Sequence, residues 1–385
     1  MRDIVGWLVD NRGAMIDFTR ALALIESPSA VPETHARIFA LIAPQLEALG
    51  FRVRLIGGRT TGGHLFAVAP RRHAFGPLQI LLGHCDTVWP VGTLRDMPVV
   101  HEGEVMRGPG VYDMKAGIAQ MIFALRALWA LGLAPSVTPV VFINSDEEIG
   151  SRESAHYIRA LARIADRALI LEPSLGPRGK LKTARKGVGR FTIRIRGKAA
   201  HAGLNPEGGA SAILELSHVI QKLFALNDPA RGISVNVGLI DGGLGPNVIA
   251  PESSATIDVR VLTHEDGRRV SESILGLAPE TAGVTLEITG GIGRPPLERT
   301  PANRALWDLA RRAGRQLDLE LEEDIAGGGS DGNTTSLYTA TLDGLGAVGD
   351  GAHAHHEFVY IDKMTERAAL LALLLLAPAL KPSRS

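Results

Sequence analysis

Residues 78–86 read L-Q-I-L-L-G-H-C-D, an apolar run that stops at a glycine and delivers a histidine and a carboxylate, His84 and Asp86. A short apolar run bounded by a turn signal predicts a strand buried on both faces, with helices above and below the sheet. The pattern recurs twice. Residues 138–143 (T-P-V-V-F-I) lead into N-S-D-E-E-I-G, and residues 167–171 (R-A-L-I-L) lead into E-P-S. Between the first two lies a long helical pattern, from about residue 114 to residue 131. Three apolar strands therefore each end in acidic or histidine residues, at the carboxyl ends where open α/β sheets bind their ligands. The expectation is an α/β fold, a sheet flanked by helices with a site along one edge.

From Lys186 the period changes. Phe191, Ile193 and Ile195 alternate with Thr192, Arg194 and Arg196, as in a strand with one wet face. A helical pattern over residues 209–226 follows, then strands near 233–239 and 255–262, a helix from about 265, and a strand at 284–289. This β-α-β-β-α-β order predicts a ferredoxin-like α+β domain. The stretch G-G-I-G-R-P-P at residues 290–296 is expected to mark its exit. After it the α/β pattern resumes and ends in a helix near residues 365–377. The main domain is thus read as residues 1–185 and 294–385, interrupted by an inserted domain at 186–293.

Composition narrows the function classes. The 385 residues carry 41 Lys plus Arg against 41 Asp plus Glu, so no net field recruits nucleic acid or an anionic membrane. The apolar stretches 121–134 and 368–380 are interrupted by Arg126 and Pro378 and fall short of the roughly 20 residues a membrane span needs. The amino terminus lacks the apolar core of a signal peptide. A single cysteine, Cys85, excludes an intrachain disulfide framework. Together these predict a soluble, cytoplasmic protein.

The residues at the strand ends are those that hold divalent cations: His84, Asp86, Asp113, Glu148, Glu172 and His353, with Glu147 beside them as a candidate general base. Each alone has an ordinary reading. Asp113 follows G-P-G before a helix and reads as a cap; Asp146-Glu147-Glu148 reads as a solvated turn; Glu172 reads as a cap ahead of Pro173. Read together, Asp113 becomes the natural bridge between two metals, and Glu147 and Glu148, being adjacent, divide base and ligand roles. The carboxyl-terminal histidines His353, His355 and His356 are left open by spacing alone. The run G-G-G-S-D-G-N at 327–333 matches no nucleotide fingerprint and reads instead as a backbone lining a substrate cleft.

The set and its order resemble the dizinc aminoacylase/carboxypeptidase metallopeptidase family over nearly the whole chain. The segments G-P-G-V-Y-D-M-K-A-G, S-D-E-E-I-G-S and L-E-P-S look most like its glutamate carboxypeptidases. The resemblance implies a zinc-peptidase catalytic domain interrupted by a dimerisation (lid) domain. It implies His84, Asp113, Glu148, Glu172 and His353 as ligands of two zinc ions, with cobalt or manganese as substitutes. Asp86 would orient His84, and Glu147 would be the general base. His353 is selected as the histidine four before the Glu of the H-x-x-x-E-F ending. In the inserted domain, G-K-A-A-H201-A-G resembles the segment whose histidine polarises the scissile carbonyl, often from the partner subunit of a homodimer. Asn247, Arg260, Arg294 and, more weakly, Lys180 resemble positions that bind a substrate carboxylate. The implied reaction is hydrolysis of a small peptide or an N-acyl amino acid next to a C-terminal residue such as glutamate. An acetylornithine-type or aminoacylase-like deacylase is the alternative, and a metal-binding relative without catalysis the third reading.

Overall fold

In the computed structural model, which describes residues 2–70 and 76–380, the apolar run ending in His84 is the strand Leu78–His84, buried at every position. It lies between the parallel strands Thr138–Asn144 and Ala165–Ile170, and Ala340–Leu342 adds a further parallel strand beside the latter. On the other side the antiparallel strands Arg52–Ile56 and His64–Val68 complete a mixed six-stranded sheet. The pleat sends alternate side chains to opposite faces. Leu81, Val141, Ile143 and Leu169 enter a core with helices Ala116–Ala130 and Ile361–Leu376. Ile80, Leu82, Phe142 and Ile170 meet Ile158 and Ala162 of the helix Ala155–Ile164 on the other face.

Both questioned apolar stretches are core helices. Ala116–Ala130 is buried without a break from Ala116 to Leu125, and no helix among the described residues is long and apolar enough to cross a membrane. A buried cation ties the second of them to the sheet. The Arg167 guanidinium donates to Gln79 Oε1 (2.9 Å) and to the carbonyls of Leu374 (3.2 Å), Ala377 (2.7 Å) and Pro378 (2.7 Å). These oxygens sit at the carboxyl end of Ile361–Leu376, where carbonyls lack intrahelical partners and the helix dipole favours positive charge.

A second unit, Ala184–Glu298 with Ala326–Gly329, separates from the rest of the chain. Its elements are the strand Gly187–Arg196, helix Ala212–Phe224, strands Ser234–Gly242 and Glu252–Val261, helix His264–Leu275 and strand Thr285–Arg294. The sheet runs Ser234–Gly242, Glu252–Val261, Gly187–Arg196, Thr285–Arg294, antiparallel throughout, which is the ferredoxin-like arrangement. Phe191, Ile193 and Ile195 face Leu216, Val219, Val270 and Ile274 of the two helices. Ser211 and Thr263 cap those helices, each accepting a backbone N–H with its side chain. In the stretch G-G-I-G-R-P-P the residues up to Arg294 are the end of the strand Thr285–Arg294, paired with residues 188–191, and the unit's longer segment ends just after the prolines, at Glu298. Gly290 has φ +123°, and a Cβ there would lie 2.2 Å from the Arg190 carbonyl oxygen, so glycine allows close strand approach.

Candidate active site

Three parallel strands deliver their residues to one edge of the sheet. His84 ends the central strand, Glu147 and Glu148 follow Thr138–Asn144, and Glu172 follows Ala165–Ile170. Backbone pairing continues past the strand ends: Cys85 N–H bonds the Asn144 carbonyl and Leu171 N–H bonds that of Leu82, both at 2.9 Å. Asp113 enters from the turn ahead of helix Ala116–Ala130. That turn needs glycine at 110, where φ is +72° and a Cβ would meet Thr87 Cγ2 at 2.6 Å. His353 itself has φ 61°, left-handed for a non-glycine residue, a conformation costing about 1 kcal/mol or more that surrounding structure must hold. Here the Ala354 N–H to Gly351 and Glu357 N–H to Ala354 bonds (2.8 and 2.9 Å) hold it.

The result is two triads that share one carboxylate. His84, Asp113 and Glu172 form one; Asp113, Glu148 and His353 form the other, with donor atoms within 4.8 Å of one another in each. His84 Nε2 lies 3.2 Å from Asp113 Oδ1 and 3.5 Å from Glu172 Oε1. His353 Nε2 lies 3.6 Å from Asp113 Oδ2 and 3.1 Å from Glu148 Oε2. The two oxygens of Asp113 therefore face different triads. Of the three terminal histidines, His353 meets the carboxylates, whereas the His355 ring faces Trp89 at 5.3 Å.

This arrangement fits a pair of divalent cations. Each triad offers one imidazole nitrogen and two carboxylates, a donor set suited to zinc. Glu148 Oε1 is buried without a hydrogen-bond partner, as an atom reserved for an ion would be. Burial pushes the Glu148 carboxyl up to about 7, and its bond to Glu148 raises His353 to about 9. Burial opposes a charge on His84, but bonds to Asp113, Asp86 and Glu172 outweigh it and hold the imidazole well above its usual range. So many acids in one place draw protons onto the histidines, and a divalent cation would displace them.

Around the triads lies an orienting layer. The fully buried Asp86 lies 3.4 Å from His84 Nδ1 through Oδ1, and Nδ1 also bonds the Asp86 carbonyl at 3.0 Å. That leaves Nε2 of His84 turned toward the other carboxylates. Asp86 also accepts from Ser29 Oγ (2.6 Å) and from the backbone N–H groups of Glu147 (3.3 Å) and Glu148 (3.1 Å). Burial would raise its pKa, but these bonds together with His84 carry it below the usual carboxylate range. Asp331 accepts from Asn144 Nδ2 (2.6 Å) and Ser151 Oγ, bracing the turn that carries Glu147 and Glu148. Ser330, Asp331 and Asn333 are thus buried and hydrogen-bonded parts of the scaffold. Ser29, Asp331 and Glu357 are contributors that sequence reasoning missed. Glu357 left a signal as the acid of the H-x-x-x-E spacing, and Asp331 lies in the G-G-G-S-D-G-N run expected to line a cleft.

The inserted unit holds its own candidates. Nδ1 of the exposed His201 accepts the N–H groups of Gly203 and Leu204, both at 3.1 Å, which leaves Nε2 as the donor nitrogen. Val248 bridges to His201 and the Asn247 carbonyl accepts from Ala202, so Asn247 lies on the neighbouring loop. Arg260 already bonds Asp258 through Nε and Nη2 at 2.7 and 3.0 Å. Arg294 closes the last strand. In the first unit, Lys180 pairs with Asp324 at 2.7 Å.

Comparison with known proteins places this geometry. Carboxypeptidase G2 from Pseudomonas sp. (strain RS-16) is 29% identical over 95% of this chain and 90% of its own length. A succinyl-diaminopimelate desuccinylase from Dechloromonas aromatica is 26% identical, covering 92% of this chain and 97% of that protein. Among solved structures, the aminopeptidase PepT of Bacillus cereus superposes with a TM-score of 0.80 at 22% identity, over 95% of this chain and 98% of that one. The M20 metallo-carboxypeptidase Sso-CP2 of Sulfolobus solfataricus gives 0.70 at 17% identity, over 94% and 98%. Residues 80–377 match the model of peptidase family M20/M25/M40. The chain belongs to that family and is a metallohydrolase.

Proposed function

We propose that the chain is a dizinc hydrolase that cleaves the amide or peptide bond before a C-terminal amino acid, as a glutamate-type carboxypeptidase. The observation that carries this reading is the pair of triads sharing Asp113. His84, Asp113 and Glu172 would hold one ion, and Asp113, Glu148 and His353 the other; cobalt or manganese would suit the same donors. When bound, the ions supply Lewis acidity and a water that ionises near neutrality.

Glu147, fixed through its N–H to Asp86, acts as general base. Its carboxylate takes the proton of the attacking water as the C–O bond forms, then gives it to the nitrogen as the C–N bond breaks. His201 donates its Nε2–H to the carbonyl oxygen as charge develops there. Asn247, Arg294, Arg260 and Lys180 are the candidates for the substrate carboxylate; Arg260 and Lys180 would exchange Asp258 and Asp324 for it.

A homodimer through the inserted unit accounts for its surface. Ser234–Gly242 is an edge strand, and Leu239, Ile240 and Leu244 in and beside it are 69%, 65% and 76% exposed. An apolar open edge of this kind is a pairing surface. In that dimer His201 serves the partner's site. The one cysteine, buried Cys85, suits a reducing cytoplasm.

The second reading, an N-acyl amino acid deacylase, rests on relatives such as the desuccinylase, which spans 92% of this chain against 95% for the carboxypeptidase. The test is hydrolysis of a panel of peptidyl and N-acyl amino acids by zinc-loaded protein, with and without chelator. Chelator-sensitive release of C-terminal glutamate supports the carboxypeptidase. Preference for N-acetyl or N-succinyl substrates moves the protein to the deacylases, and no turnover of any substrate refutes both.

A further inference from the structure

The segment that carries Asp113, Val111–Lys115, leaves helical geometry at Asp113 and Met114. The turn leading into it contains Gly108 and Gly110, both with positive φ, and the backbone bonds here include Val111 N–H to Gly108 (3.4 Å), Lys115 N–H to Gly110 (3.0 Å) and Ala116 N–H to Val111. Yet Asp113 must present its two oxygens to two different triads, a placement that tolerates errors of only about 0.5 Å in a working site. Something else has to hold the backbone.

That group is the carboxylate of Glu357, which is fully buried. Its Oε1 accepts the N–H groups of Tyr112 (2.9 Å) and Asp113 (3.0 Å). Its Oε2 accepts the N–H of Gly110 (2.9 Å) and the Trp89 indole Nε1–H (2.9 Å). Three backbone donors of one short segment converge on a single side chain, and bonds to a charged acceptor are the strong ones. Glu357 is itself anchored. It directly precedes the strand Phe358–Tyr360, which pairs with Val105–Arg107, and its N–H closes the turn after His353.

We infer that Glu357 is the positioning residue of the metal centre: its carboxylate sets the Asp113 backbone so that each Asp113 oxygen faces one triad, while its own turn aims His353 at the second. It touches neither ion nor substrate and acts through these two ligands. The inference rests on the two-metal reading of the site, and one arm of its test does not need metal.

Glu357→Gln keeps the shape but turns an amide NH2 toward one pair of N–H donors. The expected result is a folded protein, judged by circular dichroism, in which zinc titration shows both ions bound 10- to 100-fold more weakly, the usual cost of losing an outer-shell partner. His353→Ala, by contrast, should weaken one ion only. Trp89→Phe removes a donor remote from Asp113 and should leave both affinities within about threefold. A folded Glu357→Gln that binds both ions with wild-type affinity overturns the proposal. Hydrogen exchange of the chelator-treated wild-type chain covers the case in which that variant does not fold. The amides of Gly110, Tyr112 and Asp113 should exchange as slowly as those of the Leu78–His84 strand; fast exchange there overturns the proposal even if the protein proves to bind two metals.

Discussion

Replacing Asp86 by asparagine tests whether the orienting layer behind His84 carries the energy its geometry implies. Asp86 has no exposed surface. It meets His84, Ser29 and the N–H groups of Glu147 and Glu148. An asparagine keeps one acceptor oxygen and points its NH2 at groups that are themselves donors. A hydrogen bond to a charged group contributes about 1.5–3 kcal/mol and a neutral one about 1 kcal/mol. Losing the charge from the two shortest contacts, with one acceptor left, comes to about 1–4 kcal/mol of stability. The carboxylate behind a ligating histidine is separately worth about 10- to 100-fold in metal affinity, or about 1.4–2.7 kcal/mol. Urea unfolding of chelator-treated protein measures the first quantity, and zinc competition against a chromophoric chelator the second. An Asp86→Asn protein that unfolds within about 0.5 kcal/mol of wild type and binds zinc equally well would refute the assignment.

Glu147→Gln should keep both metals, measured by elemental analysis, and lose about 10²- to 10⁴-fold in kcat, the range for a general base. Mixing it with an inactive His201→Ala protein should restore activity through heterodimers, read by turnover of the mixture after exchange; none would return if His201 serves its own subunit. Arg167→Met strands the carbonyls of Leu374, Ala377 and Pro378 and the Gln79 side chain, and should cost about 3 kcal/mol or more in urea unfolding. Glu153 accepts from Arg59 and Thr60 N–H and from the Thr60 and Thr61 hydroxyls; burial opposes its charge, but those bonds hold its carboxyl down to about 2. A depressed acid stabilises the fold fully above its unfolded value near 4.5 and loses that contribution as pH falls through 2. Glu153→Gln should therefore lower stability by about 1 kcal/mol at pH near 6, discounted for solvent screening. Thermal melts should show the gap to wild type closing between those two pH values.

What could be read from the sequence followed from local period and from what stands at strand ends. The strand Leu78–His84 declared itself because burial on both faces demands apolar residues without alternation, and His84 breaks that run where the site begins. The ferredoxin-like insert was legible because each strand keeps one wet face and each helix a separate polar stripe. That Gly290–Arg294 still belongs to the strand ahead of the prolines was not legible, because glycine and proline signal a chain exit in sequence, while close pairing against Arg190 depends on a strand 100 positions away. The contacts of Ser29 and Glu357 were out of reach for a related reason, although the H-x-x-x-E spacing marked Glu357 itself. Ser29 meets Asp86 across 57 residues and Glu357 meets Gly110 across 247, and neither contact leaves a local pattern. Among His353, His355 and His356, spacing offered no physical ground for choice; His353 is the one whose Nε2 lies against Asp113 and Glu148.

The long reach from Gly110 to Glu357 also sets a timetable for synthesis. A ribosome adds about 5–20 residues each second, so the 247 positions between them take on the order of 10–50 s to emerge. During that interval the nascent chain holds Asp113, Glu148 and Glu172 without His353 to complete the second triad, and without the closing strand Ala340–Leu342 and helix Ile361–Leu376. The second triad is thus brought together only after His353 has emerged, more than 200 residues behind Asp113.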